Sequence, residues 1–199
     1  SGIYSWCCPP DKRWFELQPQ IEELKKLDAV RWYFTEVNRI MYDAINNSNW
    51  SMMFHETALN MGSVGTGVLY EEEGDRTAIN FLCLNIEKVV VLEDKEQRID
   101  TLFREFEYTA RQCVQEFGDD CTEEMKKCNS DIKRMEEKFK ILHAVFPRKD
   151  SQPGKFDSKS MPIASFYICM KSKTVLQESG YWEMPYITPR TSKKEDEQY

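Results

Sequence analysis

The feature that most constrains the fold is a change of hydrophobic period near three closely spaced glycines at residues 62–67. Before that point, over residues 19–47, apolar residues recur at steps of three and four, which is the spacing of one face of an amphipathic helix. An Asn-rich break at 46–49 ends this helix, and a second helix is predicted from Trp50 to about Met61. The first part of the chain, 1–64, is therefore predicted to be mainly helical.

After the glycines the apolar residues alternate, which predicts strands. Three hairpins are expected, from 68–70 with 77–84, from 88–92 with 99–106, and from 163–170 with 174–178. Further strands are expected at 13–17, at 140–146 and, as an edge strand, at 185–187. A short helix is expected over 110–117, with Thr109 as its N-terminal cap and Gly118 as its C-terminal cap. Another helix is expected near 122–128.

The predicted fold class is α+β, with an N-terminal long helix plus a second helix, followed by a mostly antiparallel sheet with short inserted helices. We expect one domain over 1–190, in which 65–190 is the mainly β part. Residues 191–199 are polar and are expected to form a flexible tail.

Composition excludes several classes of protein. The formal net charge is −7, and most of the basic residues stand beside acids, which disfavours tight, sequence-reading DNA binding. No apolar run approaches the roughly 20 residues of a membrane-spanning helix. The seven cysteines include no C-x-x-C pair, so neither a zinc site nor a disulfide framework is predicted.

No catalytic, cofactor-binding or metal-binding residue is predicted. His55 and His143 lack the second histidine of an H-E-x-x-H motif. Gly62, Gly65 and Gly67 follow a helix and precede a strand, which is the reverse of a phosphate-binding loop, so they predict a helix stop with close backbone packing. The acid clusters 71–73 and 119–120 are expected to be solvated.

Aromatic residues crowd the first quarter of the chain, and core packing accounts for most of them. Trp32, Tyr33 and Phe34 are consecutive, however, and neighbours on a helix point about 100° apart. Trp32 or Tyr33 must therefore lie off the apolar stripe. Trp32, Tyr33 and Trp50 are the residues that we predict to lie in a contact between subunits.

Several motifs, in this order, resemble the head-to-tail connecting (portal) protein family of short-tailed bacteriophages. They are Ser1–Ser5 followed by PDKRWFEL, Asn47–Trp50, Phe54–Ala58, Gly65–Tyr70, DTLFREF, Tyr108–Gln112, HAVFPR, Met161–Ser165, Glu178–Tyr181 and Pro185–Arg190. The family has Trp after the final Pro-Arg, where this chain has Thr191.

The resemblance implies a structural protein without cofactors. The family's subunits form a ring, usually of twelve copies, at one capsid vertex of the virion, after assembly in the host cytoplasm. The ring passes double-stranded DNA without sequence-specific binding, docks the terminase motor and joins the capsid to the tail. The chain resembles the wing region, and the stem, clip and crown regions are expected to lie outside it.

Two alternatives remain open from the sequence alone. One is a non-enzymatic adaptor that binds a partner through an exposed apolar patch. The other is a metal-dependent hydrolase, which would need carboxylates from distant segments to converge in a pocket.

Overall fold

The structure, a computed structural model, describes residues 7–9, 12–74, 76–152, 154, 155 and 157–191. These residues contain five α-helices and two antiparallel sheets, which confirms the α+β class. They form two compact units, one of residues 7–84 with 186–191 and one of residues 85–185. The predicted tail lies outside the described residues from 192 onwards, and so does Asp75 of the first predicted hairpin turn.

The elements follow the predicted order. The helices are α1 (Glu22–Lys25), α2 (Asp28–Asn47), α3 (Trp50–Val64), α4 (Ala110–Phe117) and α5 (Glu123–Ser130). The strands are β1 (Leu69–Glu73), β2 (Ile79–Cys83), β3 (Val89–Glu93), β4 (Ile99–Thr109), β5 (Lys138–Pro147), β6 (Ile163–Cys169), β7 (Thr174–Tyr181) and β8 (Tyr186–Ile187). All three predicted hairpins are confirmed, with strand ends that differ by a few residues.

The prediction of a single helix over 19–47 is wrong in its first part. Leu27 has an extended backbone, with φ −81° and ψ 124°, so the chain leaves the helix after α1 and begins a new one at Asp28. The carboxylate of Asp28 lies in the first turn of α2, where unpaired N–H groups favour a negative charge. The spacing of three and four continues across the break, so the period alone does not reveal it.

The second helix and its ending are confirmed. Helix α3 runs three residues beyond the predicted Met61 and ends at Gly65, whose φ of 79° is left-handed. Gly67 then passes close to the helix, because a Cβ at that position would lie 2.5 Å from Cγ2 of Thr57. Gly65 and Gly67 therefore form the predicted helix stop with close packing, whereas Gly62 lies within α3 and has no close neighbour.

The strand predicted at 13–17 is wrong. These residues belong to neither sheet, and their main-chain groups bond to side chains of α2 instead of to another strand. An alternating sequence predicts an extended backbone, but it does not specify whether the hydrogen-bond partner is a strand.

The sheet of the first unit has the strand order β2-β1-β8. Strand β8 confirms the predicted edge strand, and it pairs antiparallel with β1 through Leu69 opposite Ile187 and Tyr70 opposite Tyr186. The two tyrosine rings stack with centroids 4.7 Å apart. The last described segment thus returns to the unit in which the chain began.

The second unit is a five-stranded meander of order β3-β4-β5-β6-β7. Helices α4 and α5 cover one face and build a core that includes Cys113, Phe117, Met125, Ile141 and Leu176. The predicted helix start is confirmed as a complete capping box, in which Thr109 accepts a hydrogen bond from the Gln112 amide and the Gln112 side chain bonds the Thr109 amide.

The other face of this sheet carries an apolar row, with charged residues elsewhere on the same face. Directly opposed residues of antiparallel strands share a face, and the register aligns Val90, Phe103, Ala144 and Phe166 in one row. Because side chains alternate along a strand, this row lies opposite the face that carries Ile141. Residues 157–162 pass over one end of it, at Gly180.

Candidate interface surface

Residues 14–18 lie along α2 and are held there by two polar side chains of that helix. The Phe15 amide donates to the Tyr42 hydroxyl at 2.8 Å, and the same hydroxyl donates to the Phe15 carbonyl at 2.8 Å. The Leu17 amide donates to Oδ1 of Asn38 at 2.8 Å, and Nδ2 of Asn38 donates to the Leu17 carbonyl at 3.0 Å. Asn38 and Tyr42 are buried. Side chains of the helix therefore satisfy the main-chain hydrogen-bonding groups of Phe15 and Leu17, as the main chain of a neighbouring strand would.

The spacing of the two elements makes this pairing possible. Residues four apart on a helix are separated by about 6 Å along its axis. Residues two apart on an extended chain are separated by about 6.6 Å. Phe15 and Leu17 can therefore meet Tyr42 and Asn38 in register only if the peptide is extended.

Hollows border this segment on two sides. One cavity, of about 410 Å³, is lined by residues that include Lys12, Arg13, Trp14, Arg39 and Trp50. A second, of about 280 Å³, is lined by residues that include Leu17, Val30 and Phe34. The segment is thus held to α2 by hydrogen bonds and a few ring contacts, and not by packing along its whole length.

Asn38→Ala is expected to release residue 17 from the helix. The variant removes the donor and the acceptor for Leu17, so we expect the free energy of unfolding to fall by about 2 kcal/mol. The amide of Leu17 should exchange with solvent at least about tenfold faster, measured by NMR or mass spectrometry. The control is Arg39→Ala, because the exposed ion pairs of this side chain contribute little to stability. Unchanged protection at Leu17 in Asn38→Ala would contradict this role.

The remaining surface of α2 has two different sides. Tyr33 and Ile40 are 58% and 57% exposed, and their spacing of seven residues places them on the same side of the helix. Trp32 is 69% exposed and lies on another side, near Glu36 and Arg39, which form an ion pair at 2.9 Å. The structure thus places Trp32 and Tyr33 on the helix surface, as bulky apolar groups in solvent.

Trp50 has a different environment from the other two predicted contact residues. It is half-buried at the start of α3, within an aromatic cluster of the first unit. Its ring stacks on Trp14 at 5.8 Å and on Phe54 at 4.9 Å, and it meets Phe81 edge-on at 5.0 Å. Trp50 therefore holds Trp14, the first residue of the extended segment, against the unit.

The second unit contains one arrangement that resembles a reactive pair. Nε2 of His143 lies 2.9 Å from Oγ of Ser165, and the imidazole stacks on Tyr167 at 4.0 Å. Burial and the positive charge of Arg104 lower the pKa of His143 to about 3. Both His143 and Ser165 are completely buried, so a substrate cannot reach the hydroxyl. The pair is a satisfied polar contact of the sheet.

Among the described residues, the thiols and carboxylates also lack the grouping of a reactive site. All seven cysteines are free, and burial raises the pKa of Cys113 to about 12, which keeps that thiol protonated. Across residues 7–191, apart from the few undescribed positions, no three His, Cys, Asp or Glu side chains are placed to hold a metal ion. None of the helices described is long and apolar enough to cross a bilayer.

The sequence did not identify Asn38 and Tyr42 as important residues. The available signal was their position, since both lie beside the apolar stripe of α2 and are four residues apart. A buried polar side chain on an amphipathic helix needs a partner. Which segment supplies that partner depends on the tertiary fold.

The chain is similar to proteins of known class along its whole length. The sequence profile of a family described as bacteriophage head to tail connecting protein matches residues 1–199. The portal protein of Salmonella phage epsilon15 is 29% identical over 192 residues, which cover 96% of this chain and 34% of that protein. The probable portal protein of Bordetella phage BPP-1 is 28% identical over 193 residues, which cover 96% of this chain and 35% of that protein. The chain thus spans about a third of the length of these curated relatives.

Proposed function

The chain belongs to the bacteriophage head to tail connecting protein family, as its motifs predicted, and from this premise we propose that it forms the wing region of a portal subunit. The observation that carries the proposal is the family match, which runs through both structural units. The wing assignment covers residues 1–190. The polar residues 191–199 lead from it towards the stem.

The proposed role is structural. Complete subunits assemble into a closed ring, expected to hold twelve copies, at one vertex of the capsid in the virion. The ring forms in the host cytoplasm, receives the terminase motor and later joins the tail. Double-stranded DNA passes through it without sequence-specific binding, and the net charge of −7 suits a surface that does not retain DNA. No reaction is assigned to the chain.

Trp32 and Tyr33 are the proposed contact residues between subunits. Each exposes an aromatic side chain, and aromatic residues concentrate at the buried centres of protein interfaces. Trp50 is proposed to contribute indirectly, because its ring stacks on Trp14 and holds that residue in place within the unit.

Assembly of the full-length subunit tests the proposal. We expect closed rings by negative-stain electron microscopy and a single large species by native mass spectrometry. A full-length subunit that stays monomeric at high concentration would contradict the ring. If such a monomer bound one viral protein with defined stoichiometry, the adaptor alternative would be favoured.

Tyr33→Ser in the full-length subunit is expected to weaken the ring. Truncating a central interface aromatic costs about 2 kcal/mol, or roughly thirtyfold in the dissociation constant of each contact. Analytical ultracentrifugation over a dilution series measures this shift. Leu59→Ser is the control, since Leu59 is also 58% exposed but lies on α3. Equal dissociation of the two variants would remove Tyr33 from the proposed contact.

A further inference from the structure

Residues 19–27 connect the extended segment to α2, and their sequence favours more helix than they form. Residues 20–47 contain no glycine or proline, and Pro19 suits the first turn of a helix. Leu27 nevertheless interrupts the helix with an extended backbone. None of the four described residues of α1 is buried, and the flanking Ile21 and Leu27 are 56% and 52% exposed. The break therefore has little packing of its own to maintain it.

The contact between the extended segment and α2 is what excludes a continuous helix. In that contact Leu17 lies level with Asn38. If the helix began at residue 19 without a break, that residue would lie about 28 Å along the axis from Asn38. The two residue steps from 17 to 19 span at most about 7 Å. Residues 14–18 therefore cannot bind their own α2 when the helix is continuous.

A continuous helix would leave one side of α2 without its partner. Asn38 and Tyr42 are buried polar residues that bond the extended segment, and they would lose those bonds. Leu24 and Leu27 would continue the side of the helix that carries Asn38, because residues three or four apart lie on one side. This surface fits residues 14–18, and a second copy of the chain supplies the same peptide.

We propose that in the assembled ring residues 19–47 form one helix and residues 14–18 bind α2 of the next copy, in the register that is seen within one chain. The inference rests on the proposed ring and identifies how its copies are joined. The hydrogen bonds and the stacking of Trp14 on Trp50, broken within a chain, are remade between chains. The helix gains main-chain hydrogen bonds around Leu27.

The exchange has the symmetry that a ring requires. The extended segment and the side of α2 that binds it are different surfaces of the same chain, so each copy donates to one neighbour and accepts from the other. Head-to-tail contacts of this kind close into rings when the rotation between copies allows it. A dilute subunit keeps the segment on its own helix, because binding within one chain needs no second copy.

Asp28→Pro distinguishes the two conformations. Asp28 is the first residue of α2, a position that favours proline, and the extended backbone of Leu27 is what the residue before a proline prefers. The variant therefore fits the structure described here. Within a continuous helix, proline at 28 would remove a main-chain hydrogen bond and clash with the preceding turn. Asp28→Ala is the matched control, because it removes the same ion pair with Arg31 but permits both conformations.

Assembly of the full-length subunit is the measurement. We expect Asp28→Pro to raise the dissociation constant between copies at least about a hundredfold, and Asp28→Ala to change it by no more than about threefold. Analytical ultracentrifugation over a dilution series measures both, and thermal unfolding verifies that both variants fold. Rings of Asp28→Pro as stable as those of Asp28→Ala would overturn the exchange while leaving the ring intact.

Cross-linking supplies an independent measurement. Glu16 and Thr35 line the same hollow beside α2. Glu16→Cys with Thr35→Cys, in a background whose other exposed cysteines are serine, should give a ladder of covalent multimers when assembled rings react with a short bis-maleimide. The same pair in dilute subunits, or with Asp28→Pro added, should link within single chains.

Two outcomes of the cross-linking count against the inference in different ways. Rings whose cross-links stay within single chains would overturn the exchange and leave the proposed function standing. If the unaltered subunit formed no rings, the proposed function and the exchange would fail together.

Discussion

Gly180→Ala is expected to lower the free energy of unfolding of the second unit by about 3 kcal/mol or more. A Cβ at this position would lie 2.3 Å from the carbonyl oxygen of Ser158, 2.8 Å from that of Ile163 and 2.9 Å from Cβ of Met161. Two of these neighbours are main-chain atoms, which cannot rotate away. Either residues 157–162 must lift from the sheet or β7 must shift out of register with β6.

Urea unfolding of the variant and of the unaltered chain measures this loss. The matched control is Gly62→Ala, because a Cβ there has no neighbour within 4 Å and the position lies within α3. Alanine should raise stability at Gly62 by up to about 1 kcal/mol, since glycine is the poorer helix former. If Gly180→Ala were as stable as the unaltered chain, the close passage of residues 157–162 over β7 would be wrong.

Acidification is expected to destabilise the second unit through His143. The pKa of this residue is lowered to about 3 in the folded chain, against an ordinary value of 6.5. The unfolded chain therefore binds a proton below pH 6.5 that the folded chain takes up only near pH 3. Stability is full above pH 6.5 and falls as the pH decreases towards 3. The loss between pH 7 and pH 4 should be about 3 kcal/mol.

The measurement is the free energy of unfolding at several pH values for the unaltered chain and for His143→Gln. Glutamine can still bond Ser165 but does not titrate, so its curve should be flatter by the stated amount. Parallel curves for the unaltered chain and His143→Gln would refute the assignment.

Local elements were predictable because their signals are local. Thr109 identified the start of α4, since its hydroxyl bonds an amide three residues away. Gly65 identified the end of α3, because a left-handed glycine closes the helix there. The hairpins followed from alternation and short turns. The proposed function, in contrast, came from the resemblance of several motifs to one protein family.

The remaining features depend on contacts between distant residues. Alternation predicted an extended backbone at 13–17 but gave no information on its partner, which is a pair of helix side chains. The apolar period did not show the break at Leu27, because the spacing is the same on both sides. Similarly, the run of three aromatics indicated that Trp32 or Tyr33 lies off the stripe, whereas the supporting position of Trp50 depends on its packing against Trp14 and Phe81.

The return of β8 to β1 makes the meander an insertion within the first unit. On the ribosome, residues 85–185 are synthesised before the strand that completes the first sheet. The meander pairs strands that are neighbours in sequence, so it can form early in the nascent chain. Once folded, it shortens the flexible loop that must close before Tyr186 can meet Tyr70, which reduces the entropy lost in that step. The first half of the polypeptide is thus expected to be the last to reach its final structure.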